Sequence, residues 1–120
     1  IMGINSTEVA YSFGQMGSIH VSGTTAVTSN EVTADPGVGA NAVFVAITFL
    51  EDTVFENSLA GLTPAIDQLY IGGTGRTSTS IDANGGSITG TETFPEGITI
   101  YGRWTGFQLA SGRVIAYIGY

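Results

Sequence analysis

Short runs of β-branched and aromatic residues, separated by turns that contain glycine, proline or aspartate, extend along most of the chain. The longest run, residues 42–50 (AVFVAITFL), is apolar at both odd and even positions. It is too short for a typical independent helix, and its β-branched and aromatic content favours a strand. Because successive side chains of a strand point to opposite faces, this run predicts a central strand that is covered on both sides. It therefore indicates a fold of two layers.

Shorter strands are predicted on either side of this central run. Residues 19–22 and 26–33 indicate two strands joined by a turn at residues 23–24, and the second ends at the turn signal of residues 35–37 (DPG). Residues 53–56 follow the central run. We expect them to pair back on it as a hairpin or to begin an edge strand.

The middle of the chain has a less regular pattern. Residues 59–69 predict one short helix, because Pro64 suits a first helical turn, although residues 66–71 favour a strand equally well. Residues 72–90 consist mainly of glycine, serine and threonine. A segment of this composition and length predicts a long loop.

The last third of the chain predicts a β-meander. Its strands are expected at residues 98–104, 107–109 and 113–118, and its turns at residues 94–97, 105–106 and 110–112. Trp104 belongs to the first of these strands. We expect its side chain to be buried, either in the core or at a subunit contact.

Together these elements predict an all-β fold, a two-layer β-sandwich of the jelly-roll type. Residues 19–120 are expected to form a single domain. Residues 1–18 are mixed in character, with glycines that interrupt any periodicity. They predict an extended N-terminal arm that becomes ordered by packing on another surface.

The charge composition argues against several classes of partner. The 120 residues include three arginines, no lysine and ten carboxylates, which gives a formal net charge of −7. Three cations cannot neutralise a run of phosphates, so we expect no direct binding of nucleic acid. The negative charge also disfavours anionic lipid, and no apolar run approaches the roughly 20 residues that cross a bilayer, so we expect no membrane partner.

Few residues are candidates for catalysis or for metal binding. His20 is the only histidine and is not accompanied by a Gly-x-Ser-x-Gly elbow, which favours a structural role. Three carboxylates within residues 51–56 suggest a pair for glycoside hydrolysis, but solvated strand ends have the same pattern. Residues 82–86 and 72–76 resemble a calcium loop and a phosphate cradle only loosely. We therefore expect no enzyme activity, no catalytic residue, no metal site and no cofactor.

Aromatic side chains are concentrated in residues 101–120, where core, a subunit interface and a sugar-binding platform are all open interpretations. We expect these aromatic side chains to form part of the core and part of a subunit interface. The N-terminal arm also contains apolar side chains that can contact a neighbouring subunit. The residues predicted to form protein interfaces are Ile4, Val9, Tyr11, Phe13, Met16, Trp104, Phe107 and Tyr120.

Three segments resemble a known class of protein. Residues 94–117 read FPEGITIYGRWTGFQLASGRVIAY, and residues 13–18 (FGQMGS) and 45–53 (VAITFLEDT) precede them in order. This succession resembles small virion structural proteins of tailed bacteriophages, notably marine and cyanobacterial phages. It covers most of the chain apart from the glycine-, serine- and threonine-rich loop.

The resemblance implies a non-enzymatic structural role in the virion, as a head decoration, or cement, protein. Such a protein would form a homotrimer and bind the major capsid protein or another virion protein. No catalytic residue is implied.

Two other classes of function stay open alongside the decoration role. One is a tail or fibre component, or a carbohydrate- or receptor-binding β-sandwich module. The other is a small hydrolase in which Glu51, Asp52 and Glu56 line a pocket.

Overall fold

A computed structural model describes residues 17–29, 42–66, 69–73, 85–90 and 92–119, and in this part of the chain the secondary structure is almost entirely β. The strands are β1 (Ser18–Val21), β2 (Val27–Thr28), β3 (Val43–Phe49), β4 (Thr53–Phe55), β5 (Leu62–Pro64), β6 (Thr93–Phe94), β7 (Thr99–Phe107), β8 (Leu109–Ser111) and β9 (Val114–Gly119). A single 3₁₀ turn, Leu59–Gly61, precedes β5 within the described residues.

The strands form two antiparallel sheets. The larger sheet has the order β1-β9-β3-β7-β2, with β5 also paired to β7, and the smaller sheet has the order β6-β4-β8. From β3 to β9 every connection passes from one sheet to the other, and the first strand lies beside the last. Two antiparallel sheets joined by such crossing connections are typical of jelly rolls. The predicted all-β sandwich of jelly-roll type is therefore confirmed.

Strand β3 occupies the middle of the larger sheet. It pairs with β7 on one side and with β9 on the other, and the register shifts between Phe44 and Ala46 on both sides. The inner face carries Phe44, Ile47 and Phe49, which are fully buried in the core. The predicted place in the middle of a sheet is confirmed. The predicted cover on both sides was wrong, since only the inner face packs in the core and Val45 and Thr48 on the outer face are half-buried. The bulge explains why apolar residues occur at both odd and even positions, because it changes which positions face the core.

A cluster of phenylalanine rings joins the two sheets. Phe49 of the larger sheet stacks on Phe94 of the smaller sheet, with ring centroids 5.0 Å apart, and meets the edge of Phe55 at 5.9 Å. Phe55 also contacts Phe107, which in turn packs edge-on against Phe44 at 5.2 Å. Offset-stacked and edge-to-face pairs of this kind add to the stabilisation from burial.

Trp104 lies inside the core of one chain. Its side chain is 0% exposed, and its indole Nε1 donates a hydrogen bond of 2.8 Å to the carbonyl oxygen of Ile71. The indole fits because residue 102 is glycine: a Cβ there would lie 2.8 Å from the ring. Trp104 was predicted to be buried either in the core or at a subunit contact, and the structure shows it in the core.

Two predictions for the middle of the chain were wrong. Residues 53–55 do not pair with β3, because β4 is the middle strand of the smaller sheet, between β6 and β8. Among the described residues of 59–69 no α-helix forms, since Leu62–Pro64 pairs with β7 and so needs extended backbone. Residues 66 and 69–71 also favoured a strand, but none of them is in one. The backbone amides of Leu69 and Tyr70 instead donate hydrogen bonds to the Ile66 carbonyl and close a turn.

The predicted meander was also wrong. Strand β7 continues through residues 105–106, where a tight connection was expected, because β2 and β5 pair with it there. Strand β8 belongs to the smaller sheet, and β3 separates β7 from β9. The three last strands are therefore consecutive in sequence but are not neighbours in one sheet.

Some predicted features lie outside the described residues. These are residues 1–16 of the N-terminal arm, the turn at residues 35–37, most of the strand predicted at residues 26–33, and residues 74–84 of the long loop.

We expect Trp104→Ala to lower the free energy of unfolding by about 3 to 5 kcal/mol, because it removes a fully buried indole and leaves a cavity. The variant also loses the hydrogen bond to Ile71. Urea denaturation followed by circular dichroism measures the difference. A loss below about 1 kcal/mol would contradict the core assignment.

Two glycines in turns provide a matched pair of variants. Gly112 and Gly97 both have positive φ, of 101° and 88°. A Cβ on Gly112 would lie 2.3 Å from Thr53 Oγ1, whereas a Cβ on Gly97 would meet nothing within 4 Å. We expect Gly97→Ala to cost about 1 to 2 kcal/mol from backbone strain alone, and Gly112→Ala to cost more. Equal melting temperatures for the two variants would show that the contact with Thr53 is unimportant.

Candidate interaction surfaces

The three carboxylates considered for hydrolysis each have a local partner. Glu51 forms an ion pair of 3.1 Å with Arg113, and Asp52 accepts a hydrogen bond of 3.0 Å from the backbone amide of Glu96. The Glu56 carboxylate accepts a hydrogen bond from the hydroxyl of a serine two residues later. These contacts hold the ends of strand β4 to neighbouring loops, so they give the carboxylates structural roles.

The structure describes only some residues of the other candidate sites. His20 is exposed on β1, opposite Ile115 of β9. Gly72 and Gly73 pack against residues 58–64, while residues 74–76 and 82–84 lie outside the described part. In that described part, no group of three or more histidine, aspartate or glutamate side chains is arranged to hold a metal ion.

The predicted interface residues fall into two groups. The side chains of Trp104 and Phe107 are 0% and 1% exposed in a single chain, so they pack in the core and present no surface to another subunit. Both side chains are buried because they lie on the inner face of the larger sheet, where they pack in the core. The remaining predicted interface residues, Ile4, Val9, Tyr11, Phe13, Met16 and Tyr120, lie outside the described residues.

A different set of side chains occupies the outer face of the larger sheet. Tyr101 of β7 alternates with core residues Ile100 and Trp104 along the strand, and Tyr117 lies between buried Ala116 and Ile118. The two tyrosines must therefore point away from the core.

The two tyrosines lie on either side of one small residue. Ala46 of β3 is directly opposite Tyr101 on β7 and directly opposite Tyr117 on β9. The Cα atoms of the tyrosines are thus two strand spacings apart, about 10 Å. Tyr101 is 66% exposed, whereas Ala46 between them is 2% exposed. The row forms an aromatic surface with a small side chain at its centre.

Polar and aliphatic side chains extend this surface in both directions. In the next row the hydroxyls of Thr48 and Thr99 form a hydrogen bond of 2.8 Å. On the other side, Val45 lies over Gly119, where a Cβ would come within 3.1 Å of it. We call the outer surface the tyrosine face; it consists of Ser18, His20, Val45, Ala46, Thr48, Thr99, Tyr101, Arg103, Ile115 and Tyr117.

The carboxylates of the described residues lie away from the tyrosine face. The tyrosine face has no carboxylate, and Arg103 is its one formally charged side chain. Glu56 follows β4 and Glu92 precedes β6, whereas Glu51, Asp52 and Glu96 lie in the connections that join β3 to β4 and β6 to β7, between the two sheets. None of these five carboxylates belongs to the tyrosine face, and the other five of the chain lie outside the described residues.

A second surface is formed by loops beside β5. Backbone hydrogen bonds join these loops, from the Gly73 amide to the Leu62 carbonyl and from the Thr89 amide to the Gly72 carbonyl. Five of the seven exposed large hydrophobic residues of the described chain belong to this group of loops. We call them the loop patch: Leu59, Ile66, Leu69, Ile71 and Ile88.

Sequence reasoning missed both surfaces as sites. The signal for the tyrosine face was present in residues 98–104 and 113–118, where tyrosine alternates with isoleucine, alanine and tryptophan. Reading that alternation as an outer face requires the strand register, which places Tyr101 and Tyr117 on opposite sides of Ala46. The loop patch gave no periodic signal, because its residues come from irregular segments.

Comparisons with protein-family models, with curated proteins and with solved structures gave no match. Among the described residues, no helix has the length and apolar character required to cross a membrane.

We expect Glu51→Gln to lower the free energy of unfolding by less than about 1 kcal/mol, since exposed ion pairs contribute little. The side chains of Arg113 and Glu51 are 46% and 49% exposed. Thermal unfolding at low and high salt measures the effect, which should shrink as salt screens the pair. Glu92→Gln is the control, because it removes the same charge from an exposed position without this ion pair. A loss of several kcal/mol, unchanged by salt, would contradict a surface role.

Proposed function

We propose that this protein is a non-enzymatic structural component of a tailed-bacteriophage virion, a head decoration protein that binds the capsid lattice as a homotrimer. The observation that carries the proposal is the loop patch, in which five aliphatic side chains are 37% to 55% exposed. Clustered apolar surface of this kind is characteristic of sites that bind another protein. The resemblance of residues 94–117 to virion proteins supplies the class of partner.

The physical properties of the chain suit repeated docking on an assembled shell. Only 11% of its residues are charged, so an apolar contact needs little removal of charge from water. Many identical copies on one lattice gain avidity, so each contact can be individually weak. The acidic residues around the smaller sheet would keep decorated particles apart in solution.

Carbohydrate or receptor binding is a second candidate, and the tyrosine face favours it. Tyr101 and Tyr117 present aromatic rings on the outer face of the larger sheet, and Thr48 and Thr99 add hydroxyl groups beside them. This combination suits a sugar ring, which has both apolar and hydroxyl surfaces. A tail or fibre component with the same fold would use the surface in this way.

We expect Leu69→Glu to reduce binding to undecorated phage heads by about tenfold or more, because it introduces a charge into the loop patch. Leu69 is 55% exposed, so the change should leave the fold intact. Co-sedimentation with purified heads measures the binding. The matched control is Ile98→Glu, which changes an apolar side chain of 40% exposure outside the loop patch. Wild-type protein that fails to bind heads, or equal binding by both variants, would contradict the proposal.

A further inference from the structure

We draw no further inference here: the strongest candidate, the tyrosine face on the outer side of the larger sheet around Tyr101, Ala46 and Tyr117, carries no proposal, because nothing in the structure shows what covers it.

Discussion

The packing of five phenylalanine rings between the two sheets is the interaction on which the rest of the structure depends. Phe44, Phe49 and Phe107 come from the larger sheet, and Phe55 and Phe94 come from the smaller one. Because the chain changes sheet at every connection from β3 onward, each strand must bring its inner side chains to this one cluster. The positions that face inward on β3, β7 and β9 are thereby set, and so are the positions that face outward.

The outer surfaces follow from this packing. Ile47 and Phe49 face the core, so Ala46 and Thr48 face outward, and the register then aligns Tyr101 and Tyr117 beside Ala46. The strands of the smaller sheet are short, and acidic residues occur at their ends. The row of Tyr101, Ala46 and Tyr117 is thus a consequence of long-range strand pairing.

The sequence predicts those parts of the fold that depend on local pattern. Residues 42–50 predict the central strand, and turn residues such as Gly97 and Gly112 lie at true turns with positive φ. Partners distant in sequence were not predictable, because a two-residue strand such as Val27–Thr28 is stabilised by its neighbour β7 and not by its own propensity. For the same reason the helix expected at residues 59–69 does not form: pairing of Leu62–Pro64 with β7 outweighs local preference. The candidate surfaces needed this long-range register, since neither is contiguous in sequence.

The central claim is the proposal that this protein binds a phage head as a homotrimer through the loop patch. Cryo-electron microscopy of heads incubated with the purified protein tests it most directly. The account predicts three copies at each occupied lattice point, with the β5 loops against the shell. Density only on the tail, or heads without added density, would contradict it.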